Sequence, residues 1–131
     1  MNNVAPTIQM IQEEFVTLET AKLLKEKGFN EDCKTFFINK KGSVTKRLSL
    51  TNKDLPESCY SRPSQSIVQK WLRETKNLHV EISYMYGNYW IYDILTIPKH
   101  DLIGLADRPL IHYESYEGAL EEGIKEALKF I

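Results

Sequence analysis

The stretch PSQSIVQKWLRETKNLHVEISYMYGNYWIYDILT, residues 63–96, predicts a helix that leads directly into a β-hairpin. After Ser64 the apolar side chains recur at intervals of three and four residues, which is the period of a helix with one buried face. We expect that helix to bury Trp71. Residues 78–86 and 89–96 are rich in aromatic and β-branched side chains, and Gly87-Asn88 between them tolerates the positive φ angles of a tight turn.

The register of this hairpin follows from the turn. A two-residue turn at Gly87-Asn88 would place Tyr86 opposite Tyr89, and so on along both strands. One face of the hairpin is then predicted to be core, with buried Val80, Ile82 and Ile91. The other face is mixed and carries four large apolar or aromatic side chains. These are Met85, Trp90, Tyr92 and Ile94.

The remaining segments predict two more helices and a second hairpin. Thr17 can cap a helix over residues 18–27, and Gly28 can end it. Residues 33–39 and 43–50 have strand composition, whereas 51–62 and 97–114 are predicted to be loops. A last helix starts after Ser115. The order is α-β-β-α-β-β-α.

The fold class predicted from this order is α+β. Two antiparallel hairpins would form, or contribute to, a sheet on which the amphipathic helices pack. Residues 17–131 are predicted to be a single domain, and residues 1–16 an N-terminal arm. A chain of 131 residues is long enough to bury an autonomous core.

The composition excludes several classes of protein. The chain has 17 basic and 18 acidic side chains, so no overall field attracts nucleic acid or an anionic membrane. The sequence lacks the run of about eighteen apolar residues that a membrane-spanning helix requires. Residues 1–15 lack the basic start of a signal peptide, and two cysteines are too few for a disulfide framework. We therefore expect a cytoplasmic location.

Three segments carry a resemblance to a known group of proteins. They are AKLLKEKGF at 21–29, KWLRE at 70–74 and YEGALE at 116–121. These segments resemble short uncharacterised proteins of phages and prophage-like elements in gut Bacteroidetes, over most of the chain from Val16 onward. The arm at 1–15 and the loop at 97–114 depart from that pattern. The resemblance implies a bacterial or phage accessory protein in the cytoplasm, and it implies no site residue.

Two patterns could support catalysis. The predicted loop at 97–114 contains His100, Asp101, Asp107, His112 and Glu114, which are residue types that bind zinc or iron or transfer protons. Their spacing matches no known ligand motif. A thiol nucleophile at Cys33 or Cys59 would need a histidine within hydrogen-bond reach, and the sequence places none beside them. We therefore expect a non-catalytic protein without metal or cofactor, and a hydrolase is the remote alternative.

Two other patterns point to binding. If no helix covers the mixed face of the second hairpin, Met85, Trp90, Tyr92 and Ile94 would form an apolar protein-interaction surface, for a homodimer or for another protein. The alternative is a small nucleic-acid-binding protein. In that case basic residues on the first hairpin would contact phosphates, and the tyrosines of the second hairpin would stack on bases. The basic residues are Lys40, Lys41, Lys46 and Arg47.

Overall fold

The computed structural model describes residues 10–104 and 111–131. The helices are α1 (Leu18–Glu26), α2 (Gln65–Lys76) and α3 (Tyr116–Ala127). The strands are β1 (Cys33–Phe37), β2 (Val44–Leu50), β3 (Tyr60–Ser61), β4 (Leu78–Met85), β5 (Tyr89–Thr96) and β6 (Leu102–Ile103), and single turns of 3-10 helix span Asn52–Asp54 and Leu128–Phe130. The predicted α+β class and element order are confirmed.

Each hairpin belongs to its own antiparallel sheet. Among the described residues, sheet 1 has the strand order β2-β1-β3 and sheet 2 has the order β4-β5-β6. The third strand of each sheet is only two residues long and lies in a segment predicted to be loop. Strands this short leave little periodicity in the sequence, which explains why the prediction missed them. None of the helices in the described ranges is long and apolar enough to cross a membrane.

Helix α1 is capped at both ends as the sequence predicts. The Thr17 hydroxyl accepts a hydrogen bond from the Thr20 N–H at 3.3 Å. At the other end Gly28 adopts a φ of 89°, and the Phe29 N–H donates to the Leu24 carbonyl at 2.9 Å. This is a Schellman motif, in which the glycine lets the chain reverse and the residue after it packs back on the helix. Phe29 is accordingly only 1% exposed.

The buried side chain of Asn52 joins α1 to sheet 1. Its Nδ2 donates to the Phe29 carbonyl at 2.8 Å, and its Oδ1 accepts from the Ser61 N–H at 2.9 Å. Both polar ends of the amide are therefore satisfied, as burial of an asparagine requires. The contact fixes β3 against the turn that follows α1.

Part of the predicted N-terminal arm belongs to the domain. Phe15 forms a β-bridge with Ser64, and the Val16 N–H donates to the Pro63 carbonyl at 3.0 Å. Val16 is 2% exposed and lies in the core. The last two residues of the predicted arm thus pack with the rest of the chain, and the domain boundary stays a prediction. Residues 1–9 of the arm lie outside the described residues.

The hairpin of β4 and β5 is confirmed, but its predicted register is wrong by one residue. Met85 pairs with Tyr89, because residues 86–88 form a three-residue turn instead of the predicted pair at Gly87-Asn88. Gly87 and Asn88 have φ angles of 105° and 65°, so both take the positive values that were expected. The extra turn residue shifts one strand against the other by one position.

This shift exchanges the faces of β5 relative to the prediction, since neighbouring residues of a strand point to opposite sides. Tyr92 and Ile94 now lie in the core with Val80, at exposures of 5%, 0% and 0%. Of the other residues predicted to be buried, Ile82 and Ile91 are only partly buried.

Helix α3 covers the core face of sheet 2 at very short range. A Cβ added at Gly123 would lie 2.6 Å from the Val80 Cγ1 atom and 3.1 Å from the Cβ of Tyr92. Only a glycine allows this approach of helix to sheet. One contiguous core results, with contributions from all three helices and both sheets. Its central members include Leu24, Phe36, Val68, Leu72, Val80, Ile94 and Ile124.

A buried carboxylate connects the starts of α1 and α2 to α3. Glu121 is 9% exposed, and its Oε2 accepts hydrogen bonds from both the backbone N–H and the hydroxyl of Thr17, each at 3.0 Å. Its Oε1 accepts from the Gln65 Nε2 at 2.9 Å. The same Gln65 nitrogen donates to the Glu117 carbonyl at 3.0 Å. The carboxylate therefore has three donors to offset its loss of hydration.

Trp71 anchors α2 in the core, as predicted. It is 7% exposed and meets Phe29 edge to face, with ring centroids 5.3 Å apart. We expect Trp71→Ala to lower the free energy of unfolding by about 3–5 kcal/mol, measured by urea denaturation. Ile67→Ala on the same helix is the control, because Ile67 is 44% exposed. Equal losses in the two variants would contradict the packing of α2.

Glu121→Ala should destabilise the fold by about 2–4 kcal/mol, because it leaves the Thr17 N–H without its acceptor and removes one of the two acceptors of the Gln65 amide. The neighbouring Glu122→Ala is the matched control. Among the described residues Glu122 forms one ion pair, with Lys125 at 3.5 Å on the surface, and such pairs contribute less than about 1 kcal/mol. Thermal unfolding of the two variants measures the difference, and a null effect of Glu121→Ala would refute the role of the network.

Gly123→Ala should destabilise the protein by about 1–3 kcal/mol although alanine favours helices. The new methyl group would overlap Val80, whose branched side chain has few alternative rotamers. The measurement is the urea midpoint of Gly123→Ala compared with that of Gly123→Ala combined with Val80→Ala. If the single variant is more stable than the wild type, α3 lies farther from sheet 2 than described.

Candidate interaction surface

The four residues predicted to form an interaction surface do not share an exposed face. Tyr92 and Ile94 are buried under α3, as the corrected register requires. Met85 lies on the opposite face of the hairpin and pairs with Tyr89. Trp90 is partly buried and is the one member of the set that contributes to an exposed aromatic surface. Trp90, Tyr92 and Ile94 thus share one face, but α3 covers the part of it that holds Tyr92 and Ile94, and Met85 lies on the other face.

Trp90 lies between two tyrosines that are open to solvent. Its ring centroid is 4.7 Å from that of Tyr84 and 5.6 Å from that of Tyr116, which meets it edge to face. Tyr84 is 58% exposed, and Tyr116 is 36% exposed. Tyr86, the first residue of the turn between β4 and β5, is fully exposed. We call Tyr84, Tyr86, Trp90 and Tyr116 the aromatic patch.

Backbone pairing holds the patch in place. The Trp90 N–H donates to the Tyr113 carbonyl at 2.8 Å, and the Tyr113 N–H donates back at 3.0 Å. This bridge brings the segment before α3 alongside β5, so Tyr116 at the start of α3 reaches the indole ring. On the other side, the Tyr84 hydroxyl donates to the Asn88 Oδ1 at 2.8 Å. The rings of Tyr84, Trp90 and Tyr116 therefore have defined positions before any partner binds.

Charge is distributed unevenly around the patch. The sequence from Tyr84 to Tyr92 contains no charged residue. Glu114 and Glu117 flank Tyr116, and both are exposed. One border of the patch is thus acidic, whereas the other carries tyrosine hydroxyls and an amide. A rim of polar groups around aromatic rings is the usual anatomy of a protein interface.

The basic residues proposed to contact nucleic acid lie on sheet 1. Lys40, Lys41, Lys46 and Arg47 are all exposed on the β1–β2 hairpin. Lys46 and Arg47 are consecutive in a strand and so point to opposite faces of the sheet. The tyrosines that were expected to stack on bases belong to sheet 2, and Tyr92 is buried. The structure therefore does not unite the basic and aromatic residues in one strip.

The histidines and acids of the predicted loop form no common site in the described residues. His112 stacks on Tyr89 with ring centroids 3.7 Å apart, and His100 occupies a left-handed turn with a φ of 63°. Asp107 lies outside the described residues. In residues 10–104 and 111–131 no group of three or more histidine, cysteine or acidic side chains is placed to hold a metal ion.

The thiols are not arranged for nucleophilic chemistry. Burial raises the pKa of the Cys33 thiol to about 11, so at neutral pH it is protonated and unreactive. The Cys59 thiol donates weakly to the Ile38 carbonyl at 3.7 Å. Neither cysteine shows a hydrogen bond to a histidine in the described part of the chain. The structure thus gives no support to a thiol nucleophile.

The sequence analysis does not single out Tyr116 as a surface residue, although it is 36% exposed. Its position in the first turn, directly after the capping Ser115, was the available signal. Arg62, which precedes Pro63 and the capping Ser64, carries no signal in the sequence. No local pattern in the sequence reveals the partners of that arginine.

Comparison with known proteins adds no identification. No family model, no curated protein and no solved structure matches this chain.

Proposed function

We propose that this chain is a non-catalytic protein that acts by protein association, and that the aromatic patch is its contact surface. The proposal depends on one observation, the contact of the Trp90 ring with the exposed rings of Tyr84 and Tyr116 on either side of it. Large exposed aromatic side chains in contact with each other are enriched at interfaces and rare on inert surfaces. The phage-type accessory role implied by the sequence resemblance remains a prediction.

The energetics of the patch favour association. Each aromatic side chain offers a large apolar area and loses little conformational freedom on binding, because it has only two side-chain torsions. The contacts of Trp90 with its neighbours already restrict those torsions. A partner would therefore gain the hydrophobic stabilisation of burying the rings at a small entropic cost.

The borders of the patch favour a second copy of this chain as the partner. A two-fold axis through Trp90 would bring the acidic border of one copy, at Glu114 and Glu117, next to the Tyr84 and Tyr86 border of the other. A carboxylate that accepts hydrogen bonds from tyrosine hydroxyls is a stable pair. Tyr86 is fully exposed, so its hydroxyl is accessible for such a contact. The patch is thus complementary to itself.

Nucleic-acid binding is the less well supported alternative. The charge of the whole chain is −1, and the basic hairpin and the aromatic patch belong to different sheets. Proteins that bind single strands combine a basic groove with aromatic platforms along one path.

Sedimentation of the wild-type chain over a concentration series should show a reversible monomer–dimer equilibrium. Trp90→Ala and Tyr84→Ala should each weaken it, because loss of an aromatic hot spot of about 2 kcal/mol raises the dissociation constant roughly thirty-fold. Circular dichroism should remain that of the wild type for Tyr84→Ala, since Tyr84 is largely exposed.

Leu48→Ala is the matched control for non-specific association through exposed apolar side chains. Leu48 is 88% exposed on sheet 1, so its removal reduces surface apolarity without touching the patch. The dimer constant should not change in this variant. A wild-type chain that stays monomeric at the highest concentration, or a control that dissociates as readily as Tyr84→Ala, would contradict the proposed function.

A further inference from the structure

Arg62 occupies a fixed position on sheet 1. Its N–H donates to the Thr35 carbonyl at 2.9 Å, and its own carbonyl accepts from the Thr35 hydroxyl at 2.8 Å. These bonds continue the pairing of β1 with β3, in which Phe36 lies opposite Ser61. Arg62 therefore stands opposite Thr35 and shares its face of the sheet.

The guanidinium group of Arg62 is held by aromatic rings. Its central carbon lies 4.3 Å from the ring centroid of Phe15 and 5.9 Å from that of Phe37. Stacking on a ring restrains the plane of the guanidinium but uses none of its five N–H donors. Within residues 10–104 and 111–131 no ion pair or side-chain hydrogen bond engages those donors. The side chain is positioned and partly buried, yet its hydrogen-bonding capacity is unused.

Two lysines approach the same space. Lys46 pairs with Thr35 from the other side of β1, so Lys46, Thr35 and Arg62 form a row across three strands. Adjacent strands lie about 4.8 Å apart, which puts the two cationic residues roughly 10 Å apart at their Cα atoms. Side chains of this length can meet above Thr35. Lys34 also lines this groove, whose volume is about 480 Å³.

The groove carries more positive than negative charge. Three cations, Lys34, Lys46 and Arg62, face two acids, Glu13 and Asp32. The Cys33 thiol also lines the groove, and its raised pKa of about 11 keeps it neutral at pH 7. Both acids are exposed side chains. An anion in the groove would therefore meet a net positive charge and an arginine without an acceptor.

From this arrangement we propose that the groove between Arg62, Lys46 and Lys34 binds the phosphate group of a small phosphate monoester. A guanidinium plane matches two phosphate oxygens in a bidentate contact, and the flexible lysines can neutralise the remaining charge. A dianion gains more from three cations than a monovalent carboxylate does. The site is separate from the aromatic patch, which lies on sheet 2 and α3.

The acids of the groove favour a compact ligand over a polymer. A nucleic-acid backbone is a continuous row of negative charges, and its path along the groove would bring further phosphates close to Glu13 and Asp32. A single phosphate group needs only the space above Thr35.

Inorganic phosphate is the probe for a titration of the ¹⁵N-labelled full chain at constant ionic strength. The Nε–Hε signal of Arg62 and the amide signal of Lys46 should shift saturably with phosphate, and should shift far less with acetate. Lys46→Gln should raise the dissociation constant about tenfold or more, because one charge-assisted contact is lost. Lys46 is exposed, so the variant should fold normally.

Arg47→Gln is the matched control. It removes the same charge from the adjacent position of β2, but the Arg47 side chain lines a different groove, next to Phe36 and Leu55. Its dissociation constant for phosphate should stay within about twofold of the wild type. Equal weakening in the two variants, saturable binding of acetate at similar concentrations, or no saturable shift at all would overturn the phosphate site. Tighter binding of a single-stranded oligonucleotide, with a steep salt dependence, would overturn the preference for a compact ligand.

Discussion

The Glu121 carboxylate is the interaction on which the arrangement of the three helices depends. It accepts hydrogen bonds from Thr17 at the start of α1 and from Gln65 at the start of α2, while it belongs to α3 itself. A buried carboxylate is expensive to desolvate, so it fixes the positions of its donors more strictly than apolar contacts do. The close approach of α3 to sheet 2 at Gly123 is two residues away in the same helix. Through Glu121, α3 contacts the starts of α1 and α2, and at Gly123 it packs closely on sheet 2.

The sequence predicted the elements well and the tertiary details less well. Capping residues such as Thr17, Gly28 and Ser115 act through local hydrogen bonds, so their role is visible in a few neighbouring residues. The register of β4 and β5 depended on whether Tyr86 is a strand residue or a turn residue. Both assignments satisfy the aromatic pattern, and only packing under α3 decides between them. Short strands β3 and β6 exist because a neighbouring strand pairs with them, which local sequence cannot reveal.

For the candidate sites, too, the sequence indicates the local features but not the tertiary contacts. Trp90 and Lys46 were both singled out from the sequence, but each also has neighbours from distant parts of the chain. The true neighbours of Trp90 include Tyr116, which lies 26 positions later in the chain. The true neighbours of Lys46 include Arg62 across two strand pairings. The sequence shows which residues have side chains suited to binding. Their neighbours in space depend on the tertiary fold, which brings distant segments together.

The edge strand β2 has a consequence for how this protein behaves when concentrated. In the described residues no strand pairs with its outer edge, and Leu48 there is 88% exposed. An open edge of this kind invites other chains to add strands and aggregate. Two features oppose that outcome: the irregular pairing between Cys33 and Thr35, and the charges of Lys46 and Arg47 on alternate faces. Lys46 also lines the groove beside Arg62, so we expect a ligand or modification that neutralises its charge to weaken the protection of this edge.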